Sequence, residues 1–252
     1  MTTIRYRLGD GERFTIEAAT EERITVDGTV MMDVAVSFVL ACEVVGNEDG
    51  IVHIAGRFED AKIAGRAPAG MLPDVGSLQG RTIAVRKGLD GRVHSVEHAE
   101  PLEAMFGGLT ARNALTWFAA VFPAVAVEPG ATWTDTDRWV LRSDQTPLGI
   151  DLPLRPAVDV SYGYNLLRLD AREADIDLCL AFGGRTSCSR VGLELGADGG
   201  GEGRVVVDLA RGKLRSSTKH SVLELRPRAI RRGALALPPL RVERRSEAGF
   251  RA

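Results

Sequence analysis

The sequence predicts a mainly β protein, built as two related antiparallel sheets or half-barrels (an internal duplication) joined by a central helical segment. Three observations carry that expectation. Apolar and polar residues alternate with a period of two over most of the 252 residues. Asp-Gly and Gly-rich signals separate the alternating runs. Helical spacing of apolar residues occurs only near the middle of the chain.

The first strand is read from Arg13, Thr15 and Glu17 on one face and Phe14, Ile16 and Ala18 on the other. Asp27-Gly28 suits a type I′ hairpin turn, after which Val30 to Val45 is so continuously apolar that burial on both faces is expected. Gly46 to Gly50 makes a second turn, and Ile51 to Ile63 a third strand. A Pro/Gly-rich crossing loop (Pro68, Gly70, Pro73, Gly76) leads to two short strands, Arg81 to Lys87 and Arg92 to Glu97.

The helix starts at Pro101, with Leu102, Met105, Phe106 and Leu109 on one side. It breaks at Gly107-Gly108, restarts on a Thr110 cap and ends at Pro123. Strands then resume at Trp133 to Leu141, Val158 to Leu169, Ile176 to Phe182, Val191 to Leu195, Arg204 to Leu209 and Lys213 to Leu225. Leu235 to Val242 contains Pro238-Pro239 and reads as an edge strand or extended tail.

The halves echo each other. Gly80-Arg81-Thr82 running on to Gly91-Arg92-Val93-His94-Ser95 parallels Gly203-Arg204-Val205 running on to Gly212-Lys213-Leu214-Arg215-Ser216. Gly11 to Thr15 likewise parallels Gly130 to Thr134. The period is roughly 120 residues, so residues 1–127 form the first repeat with the helix and 128–252 the second with a basic tail.

Leu8-Gly9-Asp10-Gly11, Phe122-Pro123 and the Glu128 to Thr134 entry resemble a bacterial β-rich tandem-repeat domain family of unknown function. That layout is similar to LolA/LprG-type lipid and lipoprotein carriers, in which a curved half-barrel wraps helices around an apolar cavity. The resemblance implies a carrier, and it brings no catalytic residues. The family usually begins with a lipoprotein signal. No apolar stretch follows Met1 here, so the chain reads as cytoplasmic, or as exported if it has been trimmed.

Hydrophobic residues at 44% and charged residues at 26% exclude wholesale disorder, and the longest apolar window is too short and too broken for a membrane helix. The net charge of −2 conceals an acidic body and a C-terminal fifth, from Arg204 onward, with 13 Lys/Arg against 4 Asp/Glu.

Several groups are candidates for function. Phe106, Trp117, Phe118 and Phe122 are placed to line an apolar or lipid-like ligand between sheet and helix. Arg226, Arg228, Arg231 and Arg232 are a cluster on a solvated loop that suits an acidic protein partner. Nucleic acid is not expected, because no aromatics interleave with the arginines. Cys179 and Cys188 flank Gly183-Gly184. A two-residue hairpin there would set them opposite each other, within reach of a cross-strand disulfide.

No metal or cofactor is expected. His94-x-x-Glu97-His98 has the spacing of a zinc peptidase motif but lies on a strand, where Glu97 points away from the histidines. Asp135/Asp137 and Asp175/Asp177 read as wet strand faces, and Ala197 to Gly203 as a mobile hairpin loop. The chain therefore reads as a non-catalytic binding protein, or alternatively as an interaction subunit using β-edges and the basic segment. An enzyme ranks third, because nothing titratable converges in sequence.

Overall fold

The computed structural model describes residues 2–68, 75–98, 111–140, 157–188, 192–231 and 237–251. Its strands are β1 (Arg13–Val26), β2 (Thr29–Glu48), β3 (Ile51–Arg66), β4 (Thr82–Gly88), β5 (Val93–Glu97), β6 (Thr132–Val140), β7 (Ala157–Leu169), β8 (Glu173–Cys188), β9 (Leu193–Asp208), β10 (Lys213–Ala229) and β11 (Leu240–Arg251). The α-helix among the described residues is α1 (Ala111–Phe118). The expected first helical stretch, 101–109, lies outside them.

All eleven strands form one antiparallel sheet, ordered β5-β4-β3-β2-β1-β11-β10-β9-β8-β7-β6. The expectation of two sheets is corrected on this point. Two meanders, β1–β5 and β6–β11, merge because β1 pairs with β11 from Thr15–Arg251 to Val26–Leu240. The last strand is therefore central and not an edge. Pro238-Pro239 sit just ahead of it, where a missing amide hydrogen disturbs no ladder.

The turn chemistry explains the meanders. Asp27 and Gly28 have φ of 48° and 77°, and Asp49 and Gly50 have 51° and 79°, the paired positive values of a type I′ turn. Burial along β2 alternates, so the expectation of two buried faces is corrected: Met31 and Val45 are exposed. Val45 lies at a bulge between Val44 and Gly46 and has no partner in the β2–β3 register.

The sheet curls. Ten strand spacings would place β5 roughly 48 Å from β6 if it were flat, yet Arg92, just before β5, donates to Asp135 of β6 at 2.6 Å. The two edges do not pair through their backbones. The segment around α1 lies between them. Arg112 donates to the Val93 carbonyl at 3.1 Å and to Asp137 at 2.9 Å. Asn113 accepts from Val140 N–H at 3.2 Å, and Trp133 Nε1 donates to the Val121 carbonyl at 2.8 Å. Asp135 and Asp137 are thus seam residues paired with arginine, which corrects the reading of a wet face.

The N-terminal segment crosses one end of the curl, burying Ile4, Tyr6 and Leu8, with Tyr6 and Arg7 amides bonded to the carbonyls of Leu89 and Gly212. One core cluster runs through both halves, from Phe14, Phe38 and Phe58 to Tyr162, Ile176 and Val205.

Two glycine-rich segments expected as turns are strand interior. Gly183 pairs with Asp159 on one side and Asp198 on the other, so β8 runs straight through it. Gly199, Gly200 and Gly201 lie in β9 between β8 and β10. Their place there is steric. A Cβ at Gly199 or Gly201 would stand 2.1 or 2.2 Å from the carbonyl oxygen of Val222 or His220 on β10.

Candidate functional site

Two polar zones lie back to back across the same strands. The inner zone surrounds the C-terminal end of α1. That end leaves carbonyls without helical partners, and Lys219 of β10 supplies donors: its ammonium is bonded to the Trp117 carbonyl and, at 3.0 Å, to that of Ala119. Trp117 Nε1 donates to Ser246 Oγ at 2.5 Å, and its ring stacks edge-on to Trp139 with centroids 5.5 Å apart. Beside it, Arg244 Nε donates to Glu22 at 2.8 Å, and the guanidinium lies 5.7 Å from the Trp117 ring centre. Burial pushes the Lys219 pKa down to about 7.

The outer zone is a groove of about 980 Å3. Three successive residues from each of seven adjacent strands line it, from Ala19–Glu21 of β1 to Thr132–Thr134 of β6. In each trio the middle residue turns toward the core (Thr20, Ser246, Lys219, Leu178 and Tyr164 are buried), so the flanking residues face the groove. Cys179, Glu202 and His220 lie side by side across β8, β9 and β10. A Cβ at Gly163 would stand 2.6 Å from Cys179 Sγ, so the glycine makes room for the thiol.

The groove's charges are unevenly committed. Arg204 is tied to Asp175 at 2.8 Å, Arg245 to Glu243 at 3.5 Å, and His220 Nε2 lies 3.2 Å from Glu243. Bonding to Arg204 holds Asp175 below the usual carboxylate range, and the His220 contact does the same for Glu243. Glu21, Asp177, Glu202 and Glu247 have no ion-pair partner among the described residues.

The residues singled out in the sequence fall elsewhere. Trp117, Phe118 and Phe122 are in the core; Phe118 meets Phe38 with ring centroids 5.9 Å apart, and Phe122 meets Tyr6 at 5.0 Å. They do not line the groove. Phe106 lies outside the described residues.

Arg226 and Arg228 are not on a loop, as expected, but on β10, which extends past the last paired residue of β11; Pro227 is tolerated there because one side of β10 is unpaired. Arg226 is held by Glu224 at 2.5 Å and by Asp198 at 3.7 Å. Arg231 lies against Gly192, and Arg232 is outside the described residues.

The hairpin that would join Cys179 to Cys188 does not form, and Cys179 is a free, exposed thiol. The two sit nine positions apart on one strand, roughly 30 Å at the usual rise, so the disulfide expectation is corrected.

His94 and Glu97 lie on β5 as expected, but His98 falls just past the strand with a φ of 58°, and no cluster of metal-ligating side chains forms among the described residues. Among the described residues no helix is long and apolar enough to cross a membrane. Lys219, Glu22 and Arg244 were not singled out in the sequence. The signal available for them was an acidic run in β1 (Glu21-Glu22) and a basic one in β11 (Arg244-Arg245), which the register sets opposite each other.

No protein-family model and no curated protein matches the chain. One solved structure, described as DynF from the dynemicin biosynthesis pathway of Micromonospora chersina, is similar over 99% of this chain and 85% of that one, with 9% identity and a TM-score of 0.28.

Proposed function

We propose that this chain is a non-catalytic binding protein that holds a small ligand in the groove across β6–β11 and β1. The observation that carries this reading is the groove itself, whose volume of about 980 Å3 is on the scale of ligand sites in proteins. Four carboxylates without a cation partner among the described residues face it, which favours a ligand bearing amine or other cationic groups above the small residues Ala19, Gly163 and Cys179.

The two surfaces nominated by sequence have weaker support. An apolar ligand between sheet and helix would have to displace the packed rings of Trp117, Phe118 and Phe122. A partner docking on the arginine cluster would compete with Glu224 and Asp198 for Arg226.

Tandem duplication belongs to the same proposal. The matching segments lead β1 and β6, and they span the fourth and fifth strands of each meander, β4–β5 and β9–β10. In this reading β11 is the added strand that joins the repeats.

The test is native mass spectrometry of the protein purified from its own host. A reproducible small-molecule mass that is lost on denaturation, and absent from a folded Asp177→Asn/Glu202→Gln variant, is the expected result. Co-purifying protein masses with no small ligand would replace this reading with that of an interaction subunit.

A further inference from the structure

Only four of the chain's 32 basic residues are lysine: Lys62, Lys87, Lys213 and Lys219. Three of them are buried, at 8%, 7% and 3% exposure for Lys87, Lys213 and Lys219, whereas Lys62 is exposed. The difference between the two residue types is chemical. Arginine keeps its proton in proteins, while a buried lysine can give up its own and become a nucleophile.

The surroundings of the four lysines differ. Lys62 is paired with Asp60, Lys213 with Glu12 at 2.5 Å, and Lys219 with two helix carbonyls. Lys87 has neither a hydrogen-bond acceptor nor a carboxylate partner among the described residues. Its Nζ stands 3.6 Å from the centre of the Tyr6 ring and 5.8 Å from that of Phe250. Cys42 of β2 and Asp90 of the β4–β5 turn are the other titratable groups that face it, and Asp90 is already engaged by the Arg92 amide at 3.0 Å. Burial pushes the Lys87 pKa down to about 7.

Phe250 is also part of the wall of a second cleft, of about 460 Å3, at the end of the sheet where the β7–β8 and β9–β10 turns meet. Arg168, Arg172, Arg211, Lys213 and Arg215 line it with Asp170, Glu173 and Asp208, five cations to three carboxylates. Such a cleft concentrates small anions.

We propose that Lys87 is a nucleophilic amine that forms an imine with a small anionic carbonyl compound reaching it past Phe250 from this cleft. The neutral Nζ adds its lone pair to the carbonyl carbon, and the carbinolamine loses water. One amine proton moves to the carbonyl oxygen, which leaves as water with a second proton from solvent; the other stays on nitrogen, so a protonated C=N bond replaces C=O. The Tyr6 ring face then lies against the protonated imine and stabilises its charge. This site is separate from the groove, so it stands or falls independently of the groove's ligand.

The probe is glyoxylate with cyanoborohydride at pH 7, followed by peptide mapping of the folded protein. The expected result is a reduced adduct on Lys87 formed about tenfold or more faster than on the exposed Lys62. The Lys87 rate should level off above about pH 8, and Phe250→Ala should accelerate labelling of Lys87 alone. Labelling confined to Lys62, a Lys87 rate still rising steeply above pH 8, or a Phe250→Ala variant that leaves Lys87 unchanged would each overturn the proposal.

Discussion

Arg244 donates to Glu22 across the one ladder that joins the two meanders, and both side chains are buried at the point where β11 meets β1. A buried pair of this kind contributes less than its geometry suggests, because both charges were taken out of water. Leaving one of them alone is costly.

Glu22→Leu or Arg244→Met alone should destabilise the fold by about 3–5 kcal/mol. The double variant should recover most of that loss. Urea unfolding of the three variants measures the coupling, and additive losses would show that the pair does not hold the junction.

The buried lysines set the pH dependence. Burial pushes both Lys87 and Lys219 down to about 7, well below the ordinary lysine range. Between these limits the unfolded chain binds more protons than the native one, so the penalty for burying them shrinks as pH rises from about 7 toward 10 and is at its full, constant size below 7. The slope is of the order of 1 kcal/mol per pH unit for each group. Lys87→Met should be more stable than the parent at pH 6 and should flatten the profile, measured by urea unfolding at fixed ionic strength. Lys219→Met should gain less, because it also uncaps the Trp117 and Ala119 carbonyls.

Gly201→Ala places a methyl group against the His220 carbonyl, which β10 cannot move without breaking its own ladder. The expected cost is about 1–3 kcal/mol, the range for overpacking or backbone strain. An alanine at Gly183, where nothing lies within 4 Å of the added carbon, should cost less than half as much. Equal losses at the two sites would mean that loss of glycine flexibility, not the contact, decides.

Thiol titration separates the cysteines. Cys179 should react with a disulfide reagent in the native protein without prior reduction, since it is exposed and free. Cys42 should stay silent until unfolding, because burial pushes its thiol up to about 12. Reaction of Cys179 only after reduction would restore the disulfide reading.

Much of the fold was legible because a strand buried on one face writes a period of two into its sequence. Asp27-Gly28 and Asp49-Gly50 marked their hairpins, and the starts of β4, β5, β6, β7 and β10 fall within a residue of the expected positions. Illegible were strands whose inner face is not apolar. Beyond Val242, β11 presents Arg244 and Ser246 to the interior, so its apolar pattern fades although the inner face stays buried. In β9 glycines replace the alternating side chains, and a strand looks like a loop.

By itself the sequence determined local geometry: the positive φ turns and the alternation that selects a core face, whereas the helix ends at Phe118, five residues before the expected Pro123. Tertiary structure alone decided how many sheets there are, that the acidic residues of β1 meet the basic residues of β11, and which face carries a groove. The reason is that pairing depends on register between strands distant in sequence. β1 and β11 lie more than 200 positions apart, and no local propensity records which strand will occupy an edge.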